Sequence, residues 1–314
     1  MAHPDISSIY FILAKMILAT VLNTCYMSSV FIRTTTDPHE IIQLLHDIHA
    51  ENCFDKHETI LIKPNYVTDD LPSTGVTVDP VIVYGIVKYL LDNGFNNIIV
   101  AEGGMECYDM PAVFDTVGLT AALKPYDITP IDLNNDEMVE VTINNATALG
   151  KVTVAKTYVE ADAIISVSKL KVHCMADVTL CMKNMMGGLK PKNIMHTKIH
   201  EKIVDLNRRF TPRLSIIDGI IGGQCHEVAC CPVSSNVLVG GTDVVAVDSV
   251  GAYLMHYDPM EIEYLVRAKD AGLGECYLDK ITIVMSGTRG KAQGEVGIGA
   301  ETNITDLRRH YDRG

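Results

Sequence analysis

Residues 161–192 read "ADAIISVSKLKVHCMADVTLCMKNMMGGLKPK", and this stretch decides the fold. Its first eight residues, Ala161–Ser168, form a short apolar run rich in β-branched residues, the pattern of a strand buried on both faces. Polar groups then arrive at alternate positions. In an extended chain Lys169, Lys171 and His173 share one face, and Leu170 and Val172 share the other. The segment "VTLCMKNMM" (178–186) is predicted to be a helix that places Thr179 and Lys183 on one face, with Asn184 beside Lys183 and Gly187-Gly188 as its stop.

Working outward, strand-like and helix-like segments alternate. "SSVFIR" (28–33), "TILI" (59–62), "NIIVA" (97–101), "ITPIDL" (128–133), "RLSIID" (213–218) and "KITIVM" (280–285) are predicted strands. Helices are expected over 37–50, with Ile41, Leu44, Leu45 and Ile48 on one face, and over 79–92, where Asp79 caps, Pro80 follows and Gly94 stops. Shorter or later helices are expected at 110–118, 200–209, 242–255 and 260–272. Such alternation implies an α/β fold, a mostly parallel sheet with helices on both faces. The expected organisation is one α/β domain over 27–287, an N-terminal extension over 1–26 and a polar C-terminal tail over 288–314.

Composition narrows the function classes. A formal net charge of −13 repels phosphate backbones and anionic lipid, which argues against nucleic-acid binding and stable membrane association. Nine cysteines with no CxxC pair do not suggest a secreted disulfide framework, so a reducing, cytoplasmic setting is expected. The apolar run Ile9–Leu22 is interrupted by Lys15, is short for a bilayer span, and follows Asp5 rather than a basic region. It is read as an extension upstream of an alternative start at Met27, with a signal anchor as the competing reading. "SGTRGKA" (286–292) imitates a phosphate loop but lacks its glycine spacing and its Ser or Thr.

Ligands of open parallel sheets bind beyond the carboxyl ends of the strands. Here strand after strand delivers a polar group to that edge: Lys63 and Asn65, Glu102, Asp132, Lys169 to His173, and Asp218. Within 169–200 stand Lys169, Lys171, Lys183, Lys190, Lys192 and Lys198, with Asp177 and no other acid, in a chain that is acidic overall. A local reversal of this kind focuses an anion. Lys63, Asn65, Lys169, Lys183, Asn184 and Asp248 are the candidate ligand-binding residues. His173, Lys171 and Asp218 are the candidate catalytic ones, His173 as acid or base, Asp218 orienting it or binding a metal, and Lys171 as base or nucleophile. The competing reading is a solvated lysine face.

"ILIKPN", "VSKLKVH", the Thr179, Lys183, Asn184, Gly187 pattern, "IIDGI" and "VVAVDSVGAYLM" together resemble the motifs of domain-of-unknown-function family 362 over about Ile60 to Met285. By that resemblance Lys63, Asn65, Lys169, Lys171, His173, Lys183, Asn184, Asp218, Asp243 and Asp248 occupy motif positions. Some members of the family are fused to iron–sulfur modules. No such module stands in this chain, and "IGGQCHEVACCPV" replaces the Gly-Pro-rich loop expected after "DGI".

A second chemistry competes. Cys174, Cys225 and Cys230 lie in segments expected at the same edge, and thiolates there suit a metal ion or an iron–sulfur cluster. His196 and His200 are four apart but lack the HExxH glutamate, and are read as solvent-facing. The methionines 175, 182, 185, 186 and 195 are read as core or, alternatively, as an adaptable surface. The functional expectation is an enzyme binding a small phosphate- or carboxylate-bearing ligand. The alternative is a cofactor-, metal- or cluster-binding accessory protein that serves a redox or cofactor-handling partner.

Overall fold

A computed structural model describes residues 28–287. The expectations for the extension over 1–26, the tail over 288–314 and most of the "SGTRGKA" loop lie outside the described residues.

The elements follow the expected alternation. β1 (Ser28–Thr34) leads to α1 (Ile41–Ile48), β2 (Ile60–Lys63), α2 (Pro80–Asp92), β3 (Ile98–Glu102), α3 (Met110–Thr116) and α4 (Leu119–Leu123). Then come β4 (Ile131–Asp132), β5 (Met138–Thr142), β6 (Lys151–Ala155), α5 (Lys156–Glu160), β7 (Ala163–His173), β8 (Asp177–Thr179) and α6 (Cys181–Asn184). The series closes with α7 (Ile199–Arg209), β9 (Leu214–Gln224), β10 (Cys231–Val233), β11 (Val237–Gly241), α8 (Val244–Leu254), α9 (Glu263–Asp270) and β12 (Ile281–Gly287). Ten strands form one sheet in the order β12-β1-β11-β9-β7-β2-β3-β4, with β8 added to β7 and β10 to β9. β7 pairs in parallel with β2 and β9, and β3 in parallel with β2 and β4, so the centre is a parallel sheet.

Strand periodicity sorts the core into two layers. Ile60, Ile62, Val100, Ile165, Val167 and Ile216 pack with α1, α2, α3 and α4. Leu61, Ala101, Ile164, Leu170 and Ile217 pack with α5, α6, α7, α8 and α9. Helices of the first half of the chain therefore cover one face, and those of the second half the other. Asp79 caps α2 as expected, its carboxylate accepting from Val81 N at 2.9 Å, with Pro80 in the first turn.

Three expectations need correction. The helix predicted over 178–186 is a strand followed by a shorter helix. Asp177 turns the chain with a φ of 62°, β-branched Val178 and Thr179 pair back onto β7, and helix begins only at Cys181. Thr179 and Lys183 thus do not share a helix face. "RLSIID" does not end at Asp218, because β9 runs on through Gly219, Gly222 and Gly223 to Gln224. At Gly222 a Cβ would stand 2.8 Å from Leu170 O, so only glycine allows this close strand passage. Finally, "ITPIDL" yields only the two-residue β4, since Pro130 offers no N–H to a ladder. The β5–β6 hairpin, β8, β10 and β11 were not expected from the sequence.

Candidate functional site

The carboxyl edge of β2, β3, β7 and β9 carries four lysines in two tiers. In the lower tier each lysine has a carboxylate. Lys63 Nζ donates to Glu102 Oε2 at 2.5 Å, to Asn184 Oδ1 at 2.9 Å and to Pro64 O at 3.2 Å. Lys169 Nζ donates to Asp218 Oδ2 at 2.8 Å, and both side chains are 1% exposed. The two pairs lie on opposite faces of the sheet. Lys63 reaches Asn184 at the end of α6, whereas Asp218 accepts from Asp79 N, at the cap of α2, at 2.9 Å. A Cβ on Gly187 would meet Glu102 Oε1 at 2.4 Å and Lys63 Nζ at 2.7 Å. The glycine pair after α6 therefore serves the approach of backbone to a buried ion pair.

The upper tier lacks such partners. Lys171 is 1% exposed and its ammonium makes one hydrogen bond, to Val76 O at 2.7 Å. Burial pushes its pKa down to about 7, and the charge of Lys183 pushes the same way. Lys183, partly exposed, has no hydrogen-bond or ion-pair partner among the described residues, and desolvation lowers its pKa to about 8. Outside the two tiers, Lys192 is likewise pushed down to about 8 by burial, although its ammonium reaches Leu189 O at 3.1 Å and the Asn134 side chain. Asn65 Oδ1, Tyr66 OH and Thr179 Oγ1 are buried without a hydrogen bond, and Thr179 stands opposite Lys171 in the β7–β8 ladder.

Two loop tips meet above this tier. His173 and Cys174 sit where β7 turns into β8, and Glu227 sits in the loop between β9 and β10. Cys174 Sγ donates to Glu227 Oε1 at 3.1 Å, and His173 Nε2 lies 3.9 Å from the same oxygen. Desolvation, reinforced by Lys183, holds the His173 imidazole far below its ordinary pKa and so neutral. The expected Asp218–His173 partnership does not form. Asp218 spends its oxygens on Lys169, Asp79 N and Ile220 N, and the carboxylate facing His173 is that of Glu227. Lys169, Lys171 and His173 keep to alternate positions of one continuous strand, β7, and Lys169 and Lys171 both turn toward the segment before α2, through Asp218 and Val76 O; the register shift between them is taken up by β9.

The expected thiol set Cys174, Cys225 and Cys230 does not come together. Cys225 is joined to Cys231 in a disulfide, with a Cα separation of 5.7 Å, and Cys230 Sγ turns to His226 O. Cys181 is buried beneath Ser166 and Ser168. Two free thiols, Cys174 and Cys230, remain in these segments, short of the four that an iron–sulfur cluster takes.

Asp248 pairs with none of the lysines among the described residues. It is fully buried on α8, and its oxygens accept from Cys181 N at 2.8 Å and Met182 N at 2.9 Å, which anchors the start of α6. Burial raises its carboxyl pKa to about 7. Asp243 caps α8 through Val245 N and Ala246 N. Asn65 and Asn184 are joined at 3.1 Å, and Asn184 also holds Lys63. His196 is exposed, while His200 is partly buried against Tyr264. Met182, Met185 and Met195 are core, and Met175 is 40% exposed. Glu227 is the residue that the sequence reading missed. Its signal was the pair Cys225 and Cys231 bracketing "HEVAC", a short loop closed on itself.

A family model, "Domain of unknown function (DUF362)", matches residues 60–253, from the start of β2 into α8. The chain belongs to the DUF362 family. The matched span contains all four lysines, His173, Cys174, Asp218 and Glu227. Among curated proteins, this DUF362 chain is similar to the thylakoid-associated protein sll1697 of Synechocystis sp. (strain ATCC 27184 / PCC 6803 / Kazusa). The two are 24% identical over 237 residues, covering 69% of this chain and 68% of that protein. Among solved structures it is similar to the lactate racemase apoprotein from Thermoanaerobacterium thermosaccharolyticum, with a TM-score of 0.42 and 11% identity. That match covers 75% of this chain and 57% of the racemase chain. Among the described residues no helix is long and apolar enough to cross a membrane.

Proposed function

We propose that this DUF362 protein is an enzyme acting on a small phosphate- or carboxylate-bearing substrate, held by Lys171 and Lys183 at the carboxyl edge of the sheet. One observation carries the reading. Two lysines share a desolvated site without a carboxylate partner, while the two beneath them are fully paired. A desolvated cation without a direct ion pair is costly, Glu227 reaching these two only through space, and an anionic ligand supplies that contact. Asn65 Oδ1, Tyr66 OH and Thr179 Oγ1, unpaired and buried nearby, offer hydrogen bonds to the remainder of the ligand. Lys63 and Lys169 hold the floor of the site, and His173 stands at its rim. The cytoplasm is the setting we propose, since Cys53, Cys107, Cys174, Cys181, Cys230 and Cys276 are free against one disulfide pair.

Calorimetric titration of the full chain with inorganic phosphate and with acetate tests the binding step. Saturable binding of one of them is expected, weakened at least about tenfold in Lys183→Ala, one charge-assisted contact being worth roughly 1.5–3 kcal/mol. Equal affinity in wild type and Lys183→Ala, or no binding of either anion, would overturn the assignment. Turnover of a panel of phosphate esters and carboxylates by the wild type separates an enzyme from a ligand carrier. Binding without turnover in the wild type would make it a carrier.

A further inference from the structure

Above the lysine tier, at the rim of the proposed site, stands a cluster of metal-ligating side chains. His173, Cys174 and Glu227 each offer a ligand atom, and these atoms lie within 4.8 Å of one another. We propose that His173, Cys174 and Glu227 form a three-ligand site for a borderline divalent cation of the zinc class, with a fourth position open toward Lys183.

The distances suit such an ion. Zinc sits about 2.0–2.1 Å from imidazole nitrogen, about 2.0–2.2 Å from carboxylate oxygen and about 2.3 Å from thiolate sulfur. At tetrahedral angles those lengths put neighbouring ligand atoms about 3.3–3.6 Å apart. Here Cys174 Sγ to Glu227 Oε1 is 3.1 Å and His173 Nε2 to Glu227 Oε1 is 3.9 Å, values that straddle this range. Small side-chain movements at two loop tips would close the shell.

The donor set is chemically apt. One nitrogen, one sulfur and one oxygen match a borderline ion better than calcium or magnesium, which prefer oxygen throughout. Three protein ligands with one open position is the arrangement of a zinc site that handles a substrate or water. The local folds hold the ligands apart from the core. Asp177, with its φ of 62°, turns β7 back into β8 and leaves His173 and Cys174 at the tip. The Cys225–Cys231 disulfide closes the short loop that presents Glu227. On this assignment the disulfide cysteines position a ligand rather than bind the ion.

Two features work against an ion and are met by the geometry. Met175 N–H donates to His173 Nδ1 at 3.1 Å, which leaves the ring proton on Nε2. Metal at Nε2 moves that proton to Nδ1 and costs this one contact at an exposed turn. Lys183 and Lys171 repel a cation, but a metal at the rim and two ammoniums below would share one anionic ligand between them.

Chelator-stripped full-length protein titrated with Zn²⁺ against a chromophoric competitor, and with Co²⁺ followed by absorbance, tests the site. One equivalent of Zn²⁺ is expected, with a thiolate-to-cobalt charge-transfer band. Affinity should fall at least about 100-fold in His173→Ala and in Glu227→Gln, and Cys174→Ser should lose the band. Cys230→Ser should keep both. Wild-type affinity in His173→Ala and Glu227→Gln, binding lost in Cys230→Ser, or no stoichiometric binding would each overturn the proposal. All three ligands lie at loop tips, and thermal unfolding of each variant separates lost binding from lost fold. Lys183→Ala is expected to retain zinc while losing phosphate, so failure of the metal site and failure of the anion site are read separately.

Discussion

The two tiers of lysines at one sheet edge differ in a single respect, whether a carboxylate answers each ammonium. Lys63 and Lys169, beneath, are matched by Glu102 and Asp218. Lys171, above, is matched by a carbonyl, and Lys183 by no hydrogen-bond or ion-pair partner among the described residues, the Glu227 carboxylate acting on it only through space. Matched buried charges hold neighbouring strands and loops in register. Unmatched ones are a standing cost that a fold without a ligand to receive would be expected to avoid. The contrast teaches that a lysine's position at the edge does not decide its role. Its partner does.

Asp218→Ala is the severest way to break the contrast. It would turn Lys169 into an unmatched, fully buried ammonium and also strip Asp79 N of its acceptor. A loss of about 3–5 kcal/mol in urea unfolding is expected. A loss under about 1 kcal/mol would mean that the lower tier is not structural.

Asp248 supplies a smaller and pH-dependent effect beneath the same edge. Its carboxyl pKa is raised by burial to about 7, so the folded state holds a proton that the unfolded chain has released above about pH 4. Stability from this group is therefore full below about pH 4, falls as the pH rises toward about 7, and is level above that. Chemical denaturation at stepped pH should show this fall in the wild type, and Asp248→Asn should flatten it over the same window. An unchanged slope in the variant would place the pH dependence elsewhere.

The smallest stability effect is expected where the ligand effect is largest. Lys183→Met removes an unmatched charge and keeps most of the side-chain volume. Unfolding free energy should change by less than about 1 kcal/mol or rise, while phosphate or acetate affinity falls. A destabilisation like that of Asp218→Ala would erase the distinction between the tiers.

Much of the scaffold was readable in advance, because it rests on local periodicity. Ile60, Leu61 and Ile62 could be read as a buried strand, and Asp79-Pro80 as a helix start, from neighbours a few residues away. The misreadings have particular causes. Val178 and Thr179 carry a helix-compatible apolar spacing but prefer strand, and Asp177 supplies the left-handed turn that lets them pair back. Asp218 was placed at a strand end because Gly219, Gly222 and Gly223 look like a loop. In fact they let β9 continue past Leu170. Cys225 was read as a metal ligand because the spacing of cysteines does not reveal which of them pair.

By itself the sequence determined an α/β fold of the DUF362 family and a sheet edge dense in lysine, since hydrophobic periodicity, helix-start signals and residue types are local properties. Only the tertiary structure decided which lysines are neutralised, that Glu227 rather than Asp218 faces His173, and that Asp248 braces the start of α6. Those pairings join residues 39 to 67 positions apart. Charges at such separations meet only when packing of the two core layers brings the strand ends together. At that edge burial removes water as the competing partner, and the identity of the nearest carboxylate sets each lysine's chemistry.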